Sequence, residues 1–97
     1  MIISFRDRGT EDIFDGTDSV LGRRKCPKNR LPSARRKLDQ VNRAVNLADL
    51  SAPPGNRLER LKGSRRGQQS IRINQQYRIC FYWKDGDAYE VEIVDYH

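Results

Sequence analysis

The stretch from Gln69 to Tyr96 reads QSIRINQQYRICFYWKDGDAYEVEIVDY, and its alternation decides the fold. From Gln69 to Asn74, Ile71 and Ile73 fall on one face of an extended chain, and Ser70 and Arg72 on the other. From Tyr77 to Trp83, Tyr77, Ile79, Phe81 and Trp83 share one face, with Arg78, Cys80 and Tyr82 opposite. This segment is apolar on nearly both faces, which predicts a central strand. Asp85-Gly86 is a two-residue hairpin signal. Tyr89 to Tyr96 then returns, with Tyr89, Val91 and Ile93 expected inward and Glu90 and Glu92 outward. The pattern predicts an antiparallel meander.

Upstream, Leu58 to Leu61 reads as a short strand that joins the meander. Ala52-Pro53-Pro54-Gly55 stops helical structure and turns the chain. Before it, Pro32-Ser33 opens a helix in which Ala34, Leu38, Val41, Val45 and Ala48 form one apolar stripe. Gly9 to Asp15 suits a helical turn or two, with Thr10 as N-cap and Ile13 and Phe14 inward. Ile2 to Arg6 reads as a first strand. Asp15 to Arg30 is polar and reads as a loop, with the basic run Arg23-Arg24-Lys25 in solvent. The whole is α+β, with an N-terminal strand and two helices on one face of a curved, mainly antiparallel sheet.

Ninety-seven residues make one domain, 1–97, with one modest core. Two cysteines, Cys26 and Cys80, fall in dissimilar settings, so a disulfide is not expected, and two free thiols suit a reducing cytoplasm. One histidine and no C-x-x-C argue against a zinc site. No apolar run reaches the ~18 residues of a membrane helix. Net charge is +6 with a pI near 9.7, which favours an anionic partner.

That charge is sorted. Arg57 to Lys84 carries Arg57, Arg60, Lys62, Arg65, Arg66, Arg72, Arg78 and Lys84 against a single acid, Glu59. Asp85 to Asp95 carries only acids. A basic sheet with one carboxylate reads as a nucleic-acid surface that could also cut. RNA cleavage without a metal needs a base for the 2′-OH, a cation for the phosphorane and an acid for the leaving oxygen. Glu59 can be the base or a salt-bridge partner. Arg72 and Arg78 share the parity opposite the isoleucine face, so two guanidiniums point the same way and can hold phosphate. His97 suits acid catalysis, since an unperturbed imidazole titrates near pH ~6.5, and Tyr96 can stack on a base. Gly63-Ser64-Arg65-Arg66-Gly67 can track an RNA backbone.

Taken together, Pro53-Pro54-Gly55-Asn56-Arg57-Leu58-Glu59, Leu61-Lys62-Gly63, Gly67-Gln68, Ser70-Ile71-Arg72-Ile73-Asn74, Tyr77-Arg78-Ile79-Cys80-Phe81 and Val91-Glu92-Ile93-Val94-Asp95-Tyr96-His97 resemble HigB-type toxins of the RelE/ParE superfamily of toxin–antitoxin systems. The resemblance is dense in the second half. It implies a RelE-like (microbial ribonuclease-like) fold and a metal-independent, cofactor-free endoribonuclease that cuts mRNA in the ribosomal A site. It implies a HigA-like helix-turn-helix antitoxin as partner, and operator DNA reached only through that antitoxin. By position, Glu59 resembles the general base, although other members carry histidine there. Arg78 resembles the arginine on the scissile phosphate and Arg72 an auxiliary one. Asp95, Tyr96 and His97 resemble the functional C-terminal cluster, with His97 as acid. Arg57, Lys62, Arg65 and Arg66 complete the expected RNA-binding set. Two other readings remain open: a ParE-like gyrase inhibitor, and a non-catalytic co-repressor acting with its antitoxin.

Overall fold

The computed structural model describes residues 1–96. Four strands form an antiparallel meander in the order β1 (Glu59–Arg60), β2 (Gln69–Arg72), β3 (Tyr77–Lys84) and β4 (Asp87–Asp95). Asp85 and Gly86 join β3 to β4 with both residues at positive φ, 52° and 81°. That is the geometry of a mirror-image two-residue turn, whose twist matches the flanking strands. The N-terminal segment lies alongside β4 in the parallel sense, through isolated bridges Ile2–Ala88 and Phe5–Val91. It extends the sheet without forming a continuous strand.

One expectation about β4 fails for a local reason. Cys80 pairs with Glu92 and Tyr82 with Tyr89, so Glu90 and Val91 together face Phe81. This is a β-bulge, and Glu90 takes φ 51° to make it. The extra residue flips the parity of everything before it. Ala88 enters the core, whereas Tyr89, expected inward, lies beside Tyr82 on the opposite face.

The helices cover one face. α1 (Arg8–Asp15) is capped by Asp7, not by Thr10 as the sequence suggested; the Asp7 carboxylate accepts the Thr10 N–H at 2.7 Å. The stretch Asp15–Arg30, expected to be loop, contains α2 (Val20–Lys25), capped by Ser19, and a single 3-10 turn at Lys28–Arg30. Gly22 and Gly9 let α1 and α2 touch: a Cβ on Gly9 would stand 2.5 Å from the Leu21 carbonyl oxygen. Cys26, at the end of α2, lies in the core, and burial pushes its thiol up to about 11.

α3 (Leu31–Arg43) buries Ala34, Leu38 and Val41 as its stripe demands. It stops earlier than the stripe. Ala44 adopts extended ψ of 134°, and Asp49 Oδ2 accepts the N–H groups of Val45 and Asn46 to start a new 3-10 turn. Val45 is consequently left 77% exposed. The core joins these helices to Ile71, Ile79, Phe81, Ala88, Val91 and Ile93 of the sheet.

The other sheet face is bare only in part. Gln68, Ser70 and Cys80 are buried there, with Leu61 beside them, under the turn at residues 62–67. Gly67, at φ 93°, brings that turn against the Tyr82 ring. Arg72 and Arg78 lie half-buried at one end of this face, and Tyr82 and Tyr89 half-buried toward the other.

Candidate active site

The register of β2 and β3 sets Arg72 directly opposite Arg78. Ile71 and Ile79, one step away, are wholly buried beneath the helices, so both arginines belong to the other face. Two like charges as cross-strand partners repel. Among the described residues neither is offset by a salt bridge. Each is held by neutral acceptors instead. Arg72 Nε donates to the Asn74 carbonyl at 3.0 Å. Arg78 Nε donates to Ser70 Oγ at 2.8 Å, and its Nη2 to the Arg57 carbonyl at 2.7 Å. This fixes the guanidinium without neutralising it, leaving donors free for an anion.

Glu59 pairs with Ser70 in the β1–β2 register, beside the hydroxyl that holds Arg78. It lines a cleft of about 470 Å³ with Arg60, Leu61, Lys62 and Tyr96. The Arg78 guanidinium carbon stands 5.9 Å from the centre of the Tyr96 ring, a cation–π contact. Tyr96 is drawn there by its backbone N–H, which donates to the Gln76 carbonyl at 2.6 Å. Glu59, Arg72, Arg78 and Tyr96 therefore gather at one end of one face. Asp95 is exposed at the same end and accepts from Gln76 Nε2 at 3.2 Å. His97, the expected acid, lies outside the described residues.

The rest of the basic set divides. Lys62 and Arg66 are exposed and line a second cavity of about 410 Å³ with Arg60, Gly63 and Gly67. Arg57 is exposed, at φ 47°. Arg65 differs: its Nη1 donates to Glu92 and to Gln68, both at 3.1 Å. Burial works to lower the Arg65 pKa, but the hydrogen bond to Glu92, together with the electrostatics of Cys80, Glu92 and Tyr96, leaves it raised. Ser70 and the Arg57 carbonyl were not among the sequence-based candidates. Ser70 shares the parity of Arg72, which was its one visible signal; a backbone carbonyl has none.

An α+β domain with helices on one face of an antiparallel meander has the class of a RelE-like fold, and solved structures agree on that architecture. The YoeB–YefM complex from Staphylococcus aureus aligns with all of this chain at a TM-score of 0.59 and 16% identity, covering 98% of the matched chain. A heterotetrameric YoeB–YefM toxin–antitoxin complex from the same organism gives 0.60, with the same identity and coverage. Residues 3–97 match the family of RelE-like toxins of type II toxin–antitoxin system HigB, and the chain belongs to that family. It is 38% identical over 88 residues to "Toxin HigB-1" of Vibrio cholerae serotype O1, spanning 91% of this chain and 90% of that one. It is 31% identical over 98 residues to "Endoribonuclease HigB" of Proteus vulgaris, spanning 100% of both.

Proposed function

We propose that the protein is a ribosome-dependent mRNA endoribonuclease whose cleavage stops translation and growth, and that a HigA-like antitoxin restrains it. The observation that carries this reading is the Arg72–Arg78 pair: two opposed guanidiniums, held by neutral acceptors and flanked by Glu59 and Tyr96. A phosphodiester relieves their repulsion and gains bidentate donors. Glu59 takes the proton from the ribose 2′-OH. The 2′-oxygen then forms its bond to phosphorus as the bond to the 5′-oxygen breaks. Arg78 stabilises the charge on the pentacovalent phosphorane, with Arg72 as auxiliary. The leaving 5′-oxygen takes a proton from an acid, a role assigned to His97, with Asp95 completing the C-terminal cluster. Tyr96 stacks on a flanking base. The reaction needs no metal.

Arg57, Lys62 and Arg66 bind the RNA backbone on either side. The ribosomal A site orients the mRNA, supplying proximity that so small a cleft cannot. The setting is the cytoplasm, and operator DNA is engaged only through the antitoxin.

Mapping transcript 5′ ends after brief induction tests the reading. Wild type should generate new ends within translated frames. Arg78→Ala, or deletion of His97, should abolish them and relieve growth arrest while the protein stays folded. If both variants cleave like wild type, the assigned site is wrong. Gyrase-linked DNA breaks with intact transcripts would point instead to gyrase inhibition.

A further inference from the structure

Asn56 is wholly buried in the loop before β1, and its polar groups are all engaged. Its Nδ2 donates to Gln40 Oε1 and to the Leu50 carbonyl, both at 3.0 Å. Its Oδ1 accepts the Lys37 ammonium. Its backbone carbonyl accepts the Arg72 N–H at 2.6 Å. One residue therefore ties α3, the 3-10 turn Leu47–Leu50 and β2 together, while the next one, Arg57, presents the carbonyl that holds Arg78 Nη2. Arg57 does this from a left-handed conformation, φ 47°, which a residue with a Cβ adopts only when its surroundings compel it. Lys37 is an α3 residue only 9% exposed, and a buried ammonium without a partner is costly, so Lys37 and Asn56 hold each other in place.

We propose that Asn56, anchored by Lys37 and Gln40, is a positioning residue for cleavage: it sets the Arg57 carbonyl against Arg78 and thereby aims the guanidinium at the scissile phosphate. Asn56 touches no substrate itself. The inference rests on Arg78 contacting that phosphate, as proposed above.

The test is a double-mutant cycle on ribosome-programmed cleavage of a defined mRNA, with kcat and KM measured separately. Asn56→Ala should lower kcat by about 10- to 100-fold with KM nearly unchanged, because small misplacements of a catalytic group have effects of that size. In an Arg78→Lys background the same substitution should cost less than about twofold, since the fork it aims is gone. Lys37→Met supplies a second route that keeps the Asn56 amide and much of the apolar packing. It should lower kcat about three- to tenfold and again be nearly silent with Arg78→Lys. If Asn56→Ala does not fold, the Lys37→Met cycle alone decides. Equal losses in both backgrounds, or wild-type kcat in a folded variant, overturn the proposal. If Arg78→Lys itself cleaves like wild type, the failure lies in the role given to Arg78, not in the part given to Asn56.

Discussion

The Thr10 hydroxyl reaches no solvent and serves two elements at once. It contacts Asp7 Oδ2 at 3.2 Å as donor and accepts the Ile93 N–H at 3.1 Å. It thus fastens the first turn of α1 to the middle of β4, the strand that carries the chain toward Tyr96. Its place at a helix start marks Thr10 as a polar cap candidate in the sequence, but nothing local marks its bond to β4. Thr10→Val keeps the shape and removes the oxygen, stranding a buried N–H. It should destabilise the fold by about 1–3 kcal/mol, the usual cost of an unsatisfied buried donor. A urea midpoint lowered accordingly, at unchanged slope, would confirm this; an unchanged midpoint would mean that Ile93 finds another acceptor.

α3 carries its own test in Lys37. Burial lowers the Lys37 pKa below the ordinary 10.5, with the neighbouring Arg36 charge adding to the effect. The unfolded chain therefore binds this proton more tightly than the folded one. As pH rises from the lowered value toward 10.5, the folded state loses its buried charge first, so stability contributed at this site increases. The melting-temperature difference between wild type and Lys37→Met should move in favour of wild type across that window, with the tyrosines and other groups cancelling in the comparison. A flat difference would show that the amine is solvated. What could be read in the sequence follows the same division between local and distant causes. The β3–β4 hairpin was legible because Asp85-Gly86 and period-two alternation are local. So was the shared face of Arg72 and Arg78, which needs only parity. The bulge was not, since one residue at positive φ leaves no mark on composition, and it moved Tyr89 out of the core. α2 escaped notice because six residues cannot display a helical period, though Ser19 stood ready as its cap. The apolar stripe overruns α3 because Val45 and Ala48 continue its spacing. Asp49, which ends it, signals only once Asn46 is seen as the start of another turn. Glu59 stood out by being alone among cations, whereas Ser70 and Asn56 act through hydrogen bonds that no periodicity displays.

Across the whole molecule, the sorted charges turn out to have different destinations. Much of the acidic run is consumed internally. Asp87 meets the N-terminal ammonium at 3.4 Å, and Glu90 meets Arg6 at 3.8 Å. Glu92 gathers Arg6, Lys25 and Arg65 at 3.7, 3.7 and 3.1 Å. These contacts fasten the N-terminal segment, α2 and the 62–67 turn onto β4. The cations of residues 57–78 are not consumed in this way: among the described residues only Arg65 of that set forms a salt bridge. Arg72 and Arg78 therefore stand as cations that no carboxylate offsets among the described residues, and Lys62 and Arg66 add two more along one side. If that surface binds RNA as proposed, salt should weaken binding in proportion to the phosphates engaged, because each contact releases condensed counterions. Measured on Glu59→Gln, which should bind without cutting, the slope of log affinity against log salt should shrink by about 0.7 for Lys62→Ala, and by about as much for Arg66→Ala, on single-stranded RNA. Arg65→Ala is the control that distinguishes a phosphate contact from a general loss of charge. Its guanidinium already faces Glu92, so removing it should lower stability while leaving the slope nearly as it was. Equal slope changes for all three would mean that the surface responds to net charge alone and that no particular cation meets a phosphate.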